Sequence, residues 1–266
     1  MPEFRKDLIR GEWVIIATER AKRPEDFTKK REVPPAGGPK VVDGCFFCEG
    51  HESQTPPEVL AYAAGERQAN QPGWQVRVFP NKFPALIPGE KFESLHREIY
   101  HVGEAIGWLE IIATVDHSRP PALFSSAEME MMLRAYEERF LVHVSNELVK
   151  YVLIIYNHGP EAGASLAHPH SQLFAIPVIS NYLRQELDGS ASFFQKHQKC
   201  AFCRIIENEV KEAGKQRVVF ENEGFIALCP YASQNPFEVW ILPRRHNPFF
   251  QIVDYTERVQ LGDCLR

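Results

Sequence analysis

Apolar residues first gather at WVIIAT, inside a weakly alternating stretch over residues 3–18, and this predicts a first strand. The basic, proline-bearing segment from Arg20 to Lys40 reads as a loop. Alternation returns at WQVRVFPN (74–81), where Val76 and Val78 share one side and Pro80 closes the strand. EIIATVDH (110–117) gives a third strand. The period then changes. Met132, Tyr136, Phe140 and His143 follow at helical spacing behind an S-x-x-E capping box of Ser125 and Glu128, which predicts a helix to about Asn146. KYVLIIYN (150–157) and QLFAIPV (172–178) are two further strands. The stretch between them, HGPEAGASLAHPHS, is too long for a hairpin turn, and long loops between firm strands are usually functional or disordered.

Beyond residue 180 the pattern partly repeats. Cys200 and Cys203 echo Cys45 and Cys48, RVVFENEGFIAL (217–228) loosely echoes RVFPNKFPAL (77–86), and EVWILPRRH (238–246) echoes EIIATVDH. The step from His117 to His168, laid off from His246, runs past residue 266. The expectation is two domains, 1–180 and a partial repeat at 181–266, the second with strands left unpaired and exposed.

Composition adds mostly exclusions. With 266 residues, 44% of them hydrophobic and 24% charged, the chain reads as globular, with room for one large core or two modest ones. A formal net charge of -5 and no strongly basic run argue against broad nucleic-acid binding, which needs dense cationic contacts to phosphates. No apolar run approaches the ~20 residues needed to span a bilayer, and the charged N-terminus MPEFRKDLIRGEW lacks a signal-peptide core, so a cytoplasmic location is expected.

Four of the six cysteines form two CxxC pairs, which in a reducing compartment read as halves of metal sites. The competing reading, a redox pair, needs a helix start at the first cysteine to lower its thiol pKa, and VVDGCFFCEG carries no helical periodicity. His168-Pro169-His170-Ser171-Gln172 enters an apolar strand, so His168, His170 and Gln172 are expected on one face. One imidazole can then be held by a metal while its neighbour addresses a substrate. Alone, such a pair fits surface or metal-ligating histidines equally well.

The set ERAKRP (19–24), CFFC (45–48), VRVFPNKFPAL (76–86), DHS (116–118) and YNHG…GASLAHPHSQ resembles the galactose-1-phosphate uridylyltransferase branch of the histidine-triad superfamily. The resemblance runs from residue 1 to about 180 and more weakly to the end. It implies an α+β fold of two histidine-triad-like halves, each an antiparallel sheet with helices on one side, the second incomplete here. It also implies a homodimer and a ping-pong nucleotidyl transfer. His170 is then the nucleophile and Gln172 the amide that steadies charge on the phosphate. Arg20, Arg23, Asn81, Asn157, Gly163, Ala164 and Ser165 match substrate-contacting positions.

The same resemblance implies a closed zinc site of Cys45, Cys48, His117 and His168, and a second, three-ligand site at Cys200, Cys203 and His246. The partners are a nucleotide sugar and a sugar 1-phosphate or phosphate. UDP-glucose is the first reading. Ser171 in place of a glycine, Ala164 in place of a cysteine, and the Cys200/Cys203 pair resemble instead the ADP-glucose phosphorylase-like branch, which makes an ADP-sugar adenylyltransferase the alternative. A non-catalytic, zinc-stabilised nucleotide-binding module is the reading from another class. A zinc ribbon for nucleic acid would need its two CxxC pairs close together, and Cys48 lies far from Cys200 in the chain.

Overall fold

The computed structural model describes residues 1–9, 11–17, 38–159, 161–164, 166–212 and 214–266. Arg20, Arg23 and Ser165 lie outside the described residues, as does most of the segment read as a loop. The chain divides into two compact units, Met1–Leu123 with Arg134–Ser180, and Phe124–Leu133 with Asn181–Arg266. The architecture is mixed α+β with antiparallel sheets and few helices.

The first unit holds two sheets. Five strands, β3 (Leu60–Ala63), β4 (Trp74–Pro80), β7 (Trp108–Thr114), β8 (Tyr151–Tyr156) and β9 (His170–Ile176), pair in the order β3-β4-β7-β9-β8. Four more, β1 (Glu3–Lys6), β2 (Trp13–Ile16), β5 (Leu95–Arg97) and β6 (Tyr100–Glu104), pair as β2-β1-β6-β5. Phe4 of β1 and Leu109 of β7 enter one buried cluster with Leu86 and Val178. Phe4, Trp13 and Phe92 meet there edge to face at centroid distances of 5.7–6.2 Å. Gly107 leads into β7 at φ +154, and a Cβ there would lie 2.6 Å from the Ala175 carbonyl oxygen, so β7 can approach β9 this closely only with glycine at that point.

Cross-strand partners share a face, and the registers therefore sort the five-stranded sheet into two sides. Ala113 pairs with His170, Ile111 with Gln172 and Leu109 with Phe174; Phe79 pairs with Ile111, and Ile155 with Gln172. The opposite side carries Tyr62, Val78, Glu110, Ile112, Ser171 and Leu173. Helix α1 (Ser126–Val144) covers that opposite side. Tyr136 shares a short hydrogen bond with Ser171. Arg139 donates to both oxygens of Glu110 at 2.8 and 2.6 Å, His143 approaches the same carboxylate at 3.0 Å, and the Arg134 guanidinium lies 4.9 Å over Tyr62. Val78, Ile112 and Leu173 are fully buried, each worth about 1.5–3 kcal/mol.

The capping box sits where the sequence puts it. Ser125 N–H donates to Glu128 at 2.8 Å, and Glu128 N–H donates back to the Ser125 hydroxyl oxygen at 3.3 Å. The strand expected at 172–178 instead begins at His170, because β7 extends far enough to pair with it.

The second unit contains α2 (Asn181–His197), α3 (Ala201–Glu207), the strands β10 (Val218–Glu221), β11 (Phe225–Leu228) and β12 (Trp240–Pro243) in that order, and α4 (Tyr255–Leu265). The expected echo between 217–228 and 77–86 does not extend to structure. Residues 217–228 form two strands of a hairpin, since the Asn222 side chain accepts from Gly224 N–H and Phe225 N–H and turns the chain, whereas 77–86 holds a single strand end. β11 is buried throughout, while Val219 and Phe220 of β10 are exposed. α4 begins with a second reciprocal capping box, Asp254 with Glu257.

Candidate active site and metal centre

Cys45 and Cys48 lie in a turn whose backbone folds back on itself, Cys48 N–H donating to the Cys45 carbonyl at 3.2 Å and His51 N–H to the Cys48 carbonyl at 3.1 Å. His51 Nδ1 meets the Cys45 carbonyl at 2.6 Å, and the Glu52 carboxylate accepts from Gly50 N–H and from the indole of Trp74. The knuckle is thus fixed from below. His117 arrives from the end of β7, where the Asp116 carboxylate accepts from Ser118 N–H at 3.0 Å and His117 N–H donates to the Lys40 carbonyl at 3.0 Å.

The four side chains converge. One ligand atom each from Cys45, Cys48, His117 and His168 lies within 4.8 Å of the others. Cys48 Sγ is 3.3 Å from His117 Nδ1 and 3.5 Å from His168 Nδ1, and Cys45 Sγ is 3.6 Å from His168 Nδ1. Tetrahedral coordination with metal–sulfur bonds of ~2.3 Å and metal–nitrogen bonds of ~2.0–2.1 Å sets sulfur and nitrogen about 3.6 Å apart. The donor set therefore fits a closed tetrahedral metal ion.

Two further contacts suit that role. Val42 N–H points at Cys48 Sγ from 3.3 Å, and His168 Nε2–H donates to the Thr114 carbonyl at 2.7 Å, which leaves the Nδ1 lone pair facing the thiols. Burial pushes the Cys45 thiol up to about 12 and His168 down to about 3. The imidazole is ready to ligate, and the thiol becomes a thiolate only against a cation.

His170 follows two residues on and opens β9. Its Nδ1–H donates to the His168 carbonyl at 2.8 Å, so Nε2 carries the lone pair. Burial holds its pKa below the ordinary value, which keeps the ring neutral, and the residue is 8% exposed. Gln172 stands on the same side of β9 and is half-buried. Asn157 directly follows β8, one residue beyond the Tyr156–Ser171 pair. Gly163 takes a positive φ of 76°, and Ala164 N–H donates to the Gly159 carbonyl at 3.1 Å. Asn81 accepts from Phe83 N–H at 2.9 Å, a loop cap at the end of β4.

A second group, Cys200, Cys203 and His246, also gathers within metal-ligand reach, with Cys203 Sγ 3.2 Å from His246 Nδ1. Here the sequence reading missed a feature: Cys200 stands at the N-cap position of α3, with no side-chain cap bond. Burial, and then the hydrogen bond its own S–H gives to Cys200, raise the Cys203 thiol, opposite to the direction an activated thiol takes. Also missed were the Thr114 carbonyl, which no residue type signals, and the role of Tyr136, which the sequence placed only at helical spacing.

A family model described as galactose-1-phosphate uridyl transferase, N-terminal domain, matches residues 1–180. The chain belongs to the galactose-1-phosphate uridylyltransferase family. Membership in this uridylyltransferase family makes it a nucleotidyltransferase-type enzyme.

It is 32% identical over 268 residues to the ADP-glucose phosphorylase of Arabidopsis thaliana, spanning 100% of this chain and 72% of that protein. It is 27% identical over 250 residues to the galactose-1-phosphate uridylyltransferase of Thermotoga maritima, spanning 92% and 68%. Among solved structures, a uridylyltransferase mutant superposes with a TM-score of 0.78 at 27% identity, over 99% of this chain and 72% of that one. The crystal structure of the Arabidopsis thaliana ADP-glucose phosphorylase with bound ADP-glucose superposes at 0.69 and 28% identity, over 100% and 75%. No helix among the described residues of this uridylyltransferase-family chain is long and apolar enough to cross a membrane.

Proposed function

We propose that the chain transfers a nucleotidyl group between a nucleotide sugar and a sugar 1-phosphate or phosphate, by way of a nucleotidyl-histidine on His170. The observation that carries this reading is the hydrogen bond from His170 Nδ1 to the His168 carbonyl, which leaves Nε2 as the neutral base, with Gln172 on the same side of β9. Nε2 attacks the α-phosphorus. A P–N bond forms, the P–O bond to the β-phosphate breaks, and the sugar 1-phosphate departs with that oxygen. An oxygen of the second phosphate then attacks the same phosphorus and breaks the P–N bond. Imidazole suits both steps, being a competent nucleophile when neutral and a fair leaving group when on phosphorus. The Gln172 amide donates to a non-bridging oxygen as charge builds there. Asn157, the 163–165 backbone with Ser165, Asn81, Arg20 and Arg23 belong to the nucleotide's surroundings.

Zinc is the metal this reading assigns to Cys45, Cys48, His117 and His168, from two sulfurs and two nitrogens at tetrahedral spacing. Bound there, it fixes the loop that carries His170. Cys200, Cys203 and His246 form a second such site with one side open. Six free cysteines suit a cytoplasmic setting, and a homodimer belongs to the same reading.

Uridylyl transfer from UDP-glucose to a hexose 1-phosphate is the first reading. The 32% identity to an ADP-glucose phosphorylase along the whole chain, beside 27% to a uridylyltransferase, supports an ADP-sugar as the second. Intact-mass measurement after incubation with each sugar nucleotide tests both, with His170→Ala as control. A uridylyl or adenylyl increment, absent from the variant, is the expected result and names the nucleotide. No increment with either, in metal-replete protein, overturns the proposal in favour of a non-catalytic module.

A further inference from the structure

Phe47 lies between the two thiols of the first knuckle, and its ring reaches the nucleophile. The ring centroid is 5.1 Å from that of His170 at 77°, 6.1 Å from His168 at 80°, and 5.2 Å from Phe79 at 67°, each an edge-to-face contact. Phe79 is backed in turn by the Arg77 guanidinium, 4.7 Å over its ring. Arg77 is buried and held by Glu58 at 3.0 Å and by the Thr55 hydroxyl at 2.8 Å. Arg77, Phe79, Phe47 and His170 thus form a row across one side of the sheet. The residue paired with His170 in the ladder is Ala113, and Phe47 packs against it, Phe79 and Ile111. A small residue at 113 leaves the space this ring occupies.

His170 has one edge fixed, by the bond from Nδ1 to the His168 carbonyl. A single hydrogen bond fixes the position of Nδ1 and leaves the imidazole plane free to tilt about it. The Phe47 ring, in edge-to-face contact with the imidazole, supplies the second constraint. We infer that Phe47 is a positioning residue: it sets the plane of the His170 imidazole so that Nε2 stays aimed at the substrate, and it links the metal knuckle to the nucleophile by a route separate from the tether through His168. The inference rests on His170 being the nucleophile. Phe47 takes no part in the bonds made and broken; its effect is on orientation, where an error of about an ångström costs on the order of a hundredfold in rate.

The test compares wild type, Phe47→Ala, Phe47→Leu and His170→Ala for first-turnover labelling by UDP-glucose and ADP-glucose, KM, and metal content by elemental analysis. Phe47→Ala is expected to keep its metal and a KM within about twofold while labelling slows about tenfold or more. Phe47→Leu, which restores bulk without the aromatic edge, recovers part of the rate. Wild-type labelling in both variants overturns the inference. A raised KM with unchanged first turnover also overturns it, by assigning Phe47 to substrate binding. If Phe47→Ala loses metal, Phe47→Leu decides: slowed labelling with metal retained supports the role, and wild-type labelling or metal loss there rejects it. Failure of the nucleophile itself looks different, as label on His170→Ala or none on wild type.

Discussion

Thr114 receives the Nε2 proton of His168 on its backbone carbonyl, 2.7 Å away at the last residue of β7. That bond decides which nitrogen of His168 faces Cys45 and Cys48, and it ties the metal cluster to the strand that also pairs with His170. The Cys/His cluster, His170 and the sheet are therefore one mechanical unit.

The two Cys/His groups should separate by variant. Cys48→Ser is expected to release the metal of the first group, abolish covalent labelling and lower the melting temperature. Cys203→Ser is expected to lose only the metal of the second group and still to label. Metal quantification beside intact mass decides it, and loss of labelling in the Cys203 variant would reject the division.

Glu110 predicts an acid-sensitive sheet. Burial acts to raise its carboxyl, but His143 and Arg139, both close against it, outweigh that and hold the pKa below the ordinary value. With the folded value below the unfolded one, this stabilisation is complete above about pH 4.3 and drains away as pH falls through the folded value. Urea midpoints followed from pH 6 downward should fall less steeply in Glu110→Gln than in wild type. Arg139→Met, which removes one partner of a buried pair, should cost about 3 kcal/mol at neutral pH.

Tyr136 and Ser171 form a coupled pair beneath the strand that carries His170. Tyr136→Phe and Ser171→Ala should each cost about 1–2 kcal/mol, and the double variant little more than either alone. Additive losses in chemical denaturation would show that the two hydroxyls act independently.

Asp254 caps α4 through its bond from Glu257 N–H at 2.8 Å, and Arg245 holds the Glu257 carboxylate at 2.9 Å. Asp254→Ala should destabilise the second unit by about 1 kcal/mol. Faster amide exchange confined to residues 255–265 is the expected signature, and unchanged protection there would contradict it.

The sequence showed β4, β7, β8 and α1 because each carries a firm period or a capping box. It misplaced the start of β9, since the apolar run begins at Leu173 while the ladder continues to His170 through partners on another strand. α2 was missed although its sequence is amphipathic; none of its residues is fully buried. The β5–β6 hairpin was missed because LHR is exposed throughout. The ligand types Cys45, Cys48, His117 and His168 were legible by spacing and resemblance. Their mutual distances, and the backbone carbonyls that orient His168 and His170, are products of folding that no residue type announces.

β9 alternates between chemistry and support. His170 and Gln172 look one way, while Ser171 and Leu173 look toward α1. A single residue gained or lost between His168 and Gln172 would exchange the two sets, burying His170 under a helix and turning a packing leucine out, with every backbone pairing still available. Point substitutions can tune this enzyme and loops can lengthen around it, but the count of residues in this one short stretch admits no drift.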